Sequence, residues 1–305
     1  MSEPRRQHNR TNVRVLTRVL VAALDRLTPR LASDLAIRAF FRTPKTSPSE
    51  RTRQFLATGE FRLLEVEELG SVGGFRGTGR LATWRWGEGP AVLLVHGWGG
   101  VGGQLSAFVE PLVAAGFSVV AFDAPGHGAS GGRTSSLIHF SLAVRALAAR
   151  LGAFHAVVAH SLGGAAVAHA LRHGFSAERL VFVGVPAEVV RYPEGFLKAA
   201  GFREASRLRI LRAVEERLGF VWDELAVHVV PGASTPPLLV LHDFGDLEVP
   251  FSDGPAIVAA WPDARLIATT GLGHRKVLRD ETVVQHATEF LTAPLSLGAR
   301  ALHRR

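Results

Sequence analysis

The chain has 305 residues, 47% hydrophobic and 20% charged, the make-up of a soluble globular protein with one large core or two modest ones. It has no cysteine, which excludes disulfides, thiolate zinc sites and cysteine nucleophiles. The net charge of +8 is not spread along the chain: residues 1–58 hold 12 Lys/Arg against 4 Asp/Glu, leaving 23 of each beyond them, so no nucleic-acid partner is expected of the neutral body.

In that basic arm, Val13, Leu16, Leu20, Leu24, Leu27 and Leu31 recur every three or four residues and form one face of a helix, with Arg10, Arg14 and Arg18 on another. Pro29 interrupts the pattern, and Ser33 is expected to cap a second helix through Leu35, Ile37, Phe40 and Phe41. TPKTSPSE (43–50) reads as a loop. Arg14 and Arg18 break up the apolar core that a secretory signal would need, so a cytoplasmic location is expected. The arm suits an apolar face of its own domain or of a partner subunit, or an anionic membrane surface; packing is the preferred reading.

From residue 61 the period changes. FRLLEVEEL and RLATWRW are candidate strands, followed by buried-strand patterns at 91–96, 117–122, 155–160, 179–184, 237–242 and 264–269. Helical patterns lie between the first four of these: Gln104–Ala115, Leu137–Leu151 and Leu162–Arg172. Continuous apolar strands alternating with helices predict an α/β fold, a mostly parallel sheet covered on both faces. The helical stretch 185–236 breaks the alternation and is expected to be a small helical cap inserted into the core. The expected organisation is an arm (1–58), a core in two parts (59–184 and 237–296) around the cap, and a basic tail (297–305).

Two stretches carry chemistry. AVLLVHGWGGVGG (91–103) has the glycine spacing of a dinucleotide fingerprint, with Gly102 lying 21 residues before Asp123, a place for a ribose-binding acid. The same glycines could open an oxyanion hole. HAVVAHSLGGAAVAHALRH (155–173) turns from a strand through Ala159-His160-Ser161-Leu162-Gly163 into a helix, the pattern of a nucleophile elbow. There strand and helix nearly touch, so the residues two before and two after the serine must be small. Ser161 as a plain helix N-cap is the bland alternative.

A serine nucleophile needs a base, and the order Ser, acid, His leaves His274, His286 and His303. His286 lies in a helical pattern and His303 in the basic tail, whereas His274 sits in a glycine loop past the last strand. LHDFGDLEVP offers Asp243, Asp246 and Glu248 at the end of its strand. Asp246 is preferred because it stands on the loop; Asp243 and Glu188 stay open. This reading explains Ser161, Asp246 and His274 besides the glycines, which the dinucleotide reading does not.

With these residues the chain resembles the α/β-hydrolase superfamily of serine esterases and lipases over about residues 80–292. It is most similar to bacterial members of unassigned substrate with HGWxG, HDxxDxxVP and GLGHR segments. The resemblance implies the α/β-hydrolase fold and assigns the N–H groups of Trp98 and Leu162 to the oxyanion hole. It also implies an acyl-enzyme mechanism, with small to medium carboxylic esters as the default because they need least leaving-group activation; thioester, amide or carbon–carbon hydrolysis, acyl transfer, perhydrolysis and a non-catalytic binding protein stay open. No cofactor and no metal are expected, since no clustered ligand spacing appears. Two positions depart from the pattern: Ala159 stands where glycine is usual, and Asp243 where glycine is commoner.

Overall fold

The computed structural model describes residues 18–44, 47–69, 71–72, 75–76, 79–228 and 235–294. Among the described residues ten strands run in chain order: β1 (Glu60–Glu65), β2 (Ser71–Val72), β3 (Phe75–Arg76), β4 (Arg80–Trp86), β5 (Ala91–Val95), β6 (Ser118–Phe122), β7 (Phe154–His160), β8 (Ala177–Val183), β9 (Leu238–Asp243) and β10 (Ala264–Thr269). Eight of them form one sheet in the order β1-β4-β6-β5-β7-β8-β9-β10, while β2 and β3 make a separate small ribbon. β1 and β4 pair antiparallel and β4 joins β6 antiparallel; from β6 to β10 every pairing is parallel.

The apolar runs explain this order. β5 and β7 are Val-, Leu- and Ala-rich and almost wholly buried, as strands covered on both faces must be. The order places β5, β7 and β8 in the middle of the sheet, so the loops at their carboxyl ends gather at its centre.

The helices are α1 (described over 18–27), α2 (Pro29–Phe41), α3 (Glu50–Leu56), α4 (Val109–Ala114), α5 (Leu137–Leu151), α6 (Leu162–Arg172), α7 (Arg191–Ala200), α8 (Glu204–Leu218), α9 (Asp253–Ala260), α10 (Gly273–Lys276) and α11 (Glu281–Thr292). Side-chain oxygens of Ser136 and Asp280 accept the His139 and Val283 N–H groups and so start α5 and α11. The helix expected over Gln104–Ala115 is instead a 3-10 stretch, Gly102–Phe108, bending at Leu105 before α4. Ser33 is not a cap. Proline suits the first turn of a helix, so α2 begins at Pro29, and the Ser33 hydroxyl donates back to the Pro29 carbonyl from inside it.

Two compact units result. The larger contains Thr43–Val189 and the chain from Asp223 onward, and holds the whole sheet. The smaller is built from the chain up to Arg42 together with Val190–Trp222. In it α2 packs on α7 and α8, with the Phe40 and Phe196 rings 5.4 Å apart. Asp25 is fully buried there, 3.0 Å from Nε of Arg203. Burial alone would raise its pKa, but Ser206 and Arg203 beside it hold the carboxyl below its usual value. No helix among the described residues is long and apolar enough to cross a membrane.

Candidate active site

Ser161 stands between β7 and α6 with φ 52° and ψ −127°, and it alone among the described non-glycine residues has a positive φ. Such a backbone is held only when its surroundings over-determine it. Its N–H donates to the Val183 carbonyl (3.0 Å) and its carbonyl accepts from Gly164 (3.0 Å). The strand–helix contact behind it demands small residues. A Cβ on Gly163 would lie 2.6 Å from the His96 carbonyl oxygen, and one on Gly97 2.9 Å from the Ser161 Cβ. Ala159 is wholly buried at the same crossing.

The close approach of Gly97 brings the loop after β5 against the serine. Neither the Trp98 nor the Leu162 N–H donates to a protein group among the described residues; at the first turn of α6, Leu162 has no intrahelical acceptor in any case. Histidines pin this loop to the Asp123–Ser130 turn. His96 Nδ1 donates to the Gly97 carbonyl (2.7 Å), while its Nε2 accepts the Ala124 N–H (2.9 Å). His127 Nε2 accepts the Gly99 N–H (3.1 Å) and its Nδ1 donates to the Pro125 carbonyl (3.0 Å). An acceptor nitrogen on each ring requires a neutral imidazole. Burial lowers the pKa of His96 to about 3 and that of His127 to about 4, so both stay neutral near pH 7.

Asp123, the residue a dinucleotide site would use for ribose, is committed internally. Its two carboxylate oxygens accept the N–H groups of Gly102 and Ala129, each at 2.7 Å. Burial raises its pKa to about 6 against those two donors. The spacing of 21 residues thus closes the loop after β5 onto the end of β6.

Asp246 lies on the turn after β9. Its Oδ2 is 2.7 Å from Nδ1 of His274, and its Oδ1 accepts the N–H groups of Glu248 (2.8 Å) and Val249 (2.9 Å). Burial would raise its pKa, but the His274 hydrogen bond and the Val249 and Glu248 N–H groups outweigh it and hold the carboxyl below its usual value. Asp243 faces elsewhere. It accepts from the Gly245 N–H (2.8 Å), the Thr269 hydroxyl (2.8 Å) and the Leu272 N–H (3.0 Å), tying the end of β9 to the loop before α10. Glu188 pairs with His228 at 3.3 Å.

His274 does not sit in a loop, as its flanking glycines suggest, but in the first turn of the short helix α10, which opens at Gly273 with a φ of 63°. Gly184, just past β8, connects it to the serine. A Cβ there would meet Oδ2 of Asp246 and Nδ1 of His274, each at 3.2 Å, while the preceding Val183 carbonyl holds the Ser161 N–H. No hydrogen bond joins Ser161 Oγ to His274 Nε2 among the described residues.

His160, next to the serine, is a residue the sequence reading passed over. Its Nε2 donates to the backbone carbonyl of His274 (2.9 Å), and the two rings lie 4.5 Å apart. Burial, with His274 beside it, lowers its pKa to about 3. Its position immediately before the elbow serine, at the buried end of β7, was the available signal: a polar ring there must find a partner.

Comparisons with known proteins bear on the fold. The serine aminopeptidase S33 family matches residues 89–219, which include Trp98, Ser161 and Leu162. A non-heme haloperoxidase of Rhodococcus erythropolis is 34% identical over 131 residues, covering 39% of this chain and 48% of that protein. The chain therefore spans about half the length of the curated relative it matches. Among solved structures, the bromoperoxidase from Bacillus anthracis superposes with a TM-score of 0.55 at 18% identity, over 76% of this chain and 99% of its own. An esterase from Exiguobacterium antarcticum gives a TM-score of 0.57 at 14% identity, over 77% of this chain and 100% of its own. Those likenesses carry the fold. With the mostly parallel eight-stranded sheet and the strained serine at the carboxyl end of a central strand, they show the α/β-hydrolase fold.

Proposed function

We propose that the protein is a serine hydrolase that cleaves small to medium carboxylic esters through an acyl-enzyme. The observation that carries this reading is the 2.7 Å pair of Asp246 and His274, set beside a serine held at positive φ. With Asp246 accepting the Nδ1–H, the lone pair of the neutral imidazole is at Nε2, where a base must have it.

On this reading Nε2 takes the Ser161 proton as Oγ attacks the acyl carbonyl. The Trp98 and Leu162 N–H groups stabilise the resulting oxyanion. Collapse breaks the ester C–O bond, and the imidazolium returns its proton to the leaving alkoxide. Water, deprotonated by Nε2, then attacks the acyl-serine, releasing the acid and restoring the Ser161 hydroxyl. The serine–imidazole hydrogen bond forms on this reading when substrate fills the site, a change in line with the long or poorly aligned contacts of apo triads.

A second reading on the same residues is supported by the names of the Rhodococcus and Bacillus relatives. Hydrogen peroxide in place of water would carry the acyl group away as a peracid. A non-catalytic binding protein on this fold would have no need of the Ser161, Asp246 and His274 groups together.

Turnover of an activated short-chain ester separates these readings, assayed with and without hydrogen peroxide. Ser161→Ala is expected to stay folded and lose activity by on the order of 10³-fold or more. A fluorophosphonate should label Ser161 in the parent and nothing in the variant. Near-normal turnover in Ser161→Ala would remove the proposal, and a parent that turns over no ester or peracid would support the binding protein.

A further inference from the structure

The leucines of α1 and α2 face outward on the smaller unit, Leu24 apart, which is half-buried. Leu20, Leu27, Leu31 and Leu35 are 61%, 81%, 51% and 49% exposed, whereas the side turned inward carries Asp25, Ala32, Ala36 and Ile37. Asp25 sets this orientation. A buried carboxylate must keep its cationic partner, and Arg203 receives it only with α1 turned this way. Spacings of seven and four residues put Leu20 and Leu27 on one side of α1, and Leu31 and Leu35 on one side of α2.

The same two helices carry the charge. Arg18, Arg26, Arg30 and Arg38 are exposed there and Arg42 just past α2, against a single exposed acid, Asp34, among the described residues. Beyond residue 58 basic and acidic residues are equal in number, so the chain's whole positive excess lies in the arm that exposes these leucines. A second copy fits this face poorly, because a two-fold interface would bring its arginines against themselves. Residues 1–17 fit no better, since they add Arg5, Arg6, Arg10 and Arg14 against Glu3 alone. An anionic bilayer surface satisfies both features at once: leucines enter the headgroup–acyl boundary while flanking arginines meet lipid phosphates.

We propose that the exposed leucine side of α1 and α2 seats the protein on an anionic lipid surface, as a peripheral contact that spans nothing. It is independent of the hydrolase reading and is tested without substrate. The full chain is sedimented with large vesicles of phosphatidylcholine alone, or of phosphatidylcholine with phosphatidylglycerol. Binding to the anionic vesicles is expected, weakening as salt screens the arginines. Leu27→Ser with Leu31→Ser should weaken it by about tenfold or more. Arg26→Gln, Arg30→Gln and Arg38→Gln should each cost roughly fivefold.

Because the chain has no cysteine, Leu27→Cys labelled with an environment-sensitive dye reports the contact even if the serine variants fold poorly. Its emission should shift to the blue on adding anionic vesicles, and that of dye on Leu247→Cys, 98% exposed in the larger unit, should not. Failure to sediment with anionic vesicles, or binding unaltered by the leucine changes, would overturn the proposal. A dye shift that follows protein concentration without lipid, with a doubled mass in light scattering, would give the face to a second copy and overturn it too.

Discussion

Two aspartates three positions apart, Asp243 and Asp246, meet different partners, and the difference lies in which donors surround each carboxylate. Asp246 spends one oxygen on backbone N–H groups and the other on the His274 imidazole. Asp243 accepts from a hydroxyl and backbone N–H groups, which burial makes strong. On the proposed mechanism, Asp246→Asn should lower kcat on the order of 10⁴-fold with the fold intact, because an amide favours the wrong imidazole tautomer. Asp243→Asn should act mainly on stability: its NH2 cannot accept the Leu272 N–H, at a cost of about 1–3 kcal/mol in urea unfolding. If the two variants exchange effects, the acid has been misassigned.

At the scale of elements, three segments converge on one serine: the turn after β5, the elbow after β7 and the short helix α10 that carries His274. Close backbone approach and neutral histidines hold them. Gly163→Ala would drive a methyl group into the His96 carbonyl, so α6 must shift and carry the Leu162 N–H with it. A loss of about 1–3 kcal/mol is expected, with kcat falling further than the residual folded fraction explains. His160 couples the elbow to α10 through one hydrogen bond. His160→Phe keeps a ring but loses the donor to the His274 carbonyl, so kcat should fall with KM little changed. His160→Gln, which retains an N–H donor, should recover part of it. Equal kcat in the two variants would reduce His160 to a packing role.

Taken as a whole molecule, the chain buries many imidazoles without charging them. His96, His127, His139, His160 and His169 all have pKa values lowered by burial, to about 3 or 4. Between those values and the ordinary 6.5 the unfolded chain binds protons that the folded chain does not, so acid favours unfolding. Each group steepens the loss by up to about 1.4 kcal/mol per pH unit. Asp123 opposes this with a single group: raised to about 6, it takes up a proton in the folded state first. Asp246, held low, adds to the loss only further into acid, as pH falls through its folded value. Unfolding midpoints in urea should therefore decline from about pH 6.5 downward. A flat profile between pH 7 and 5 would mean that these histidines titrate normally.

Much of this molecule was legible one segment at a time. Strand and helix periods express burial on one or two faces, a property of neighbouring residues. For that reason the apolar runs at β5 to β10, and α5 and α6, stand where their patterns put them, although β10, expected to be buried, is an edge strand with no buried residue. The elbow is also local, since strand, serine and helix are contiguous and their small residues record the crossing. Contacts across long separations left no such record. Which acid meets His274, 28 residues away from Asp246, depends on how β9 ends and where Gly273 turns the next loop. The glycine spacing before Asp123 suited a dinucleotide or an oxyanion loop, and only the structure shows the Asp123 carboxylate taken by the Gly102 N–H and not free for a ribose. In the arm the period correctly announced a helix but not its orientation. A stripe of leucines says that a helix has two sides; the tertiary structure turns Asp25 inward to Arg203, because an unpaired buried charge costs more than an exposed leucine.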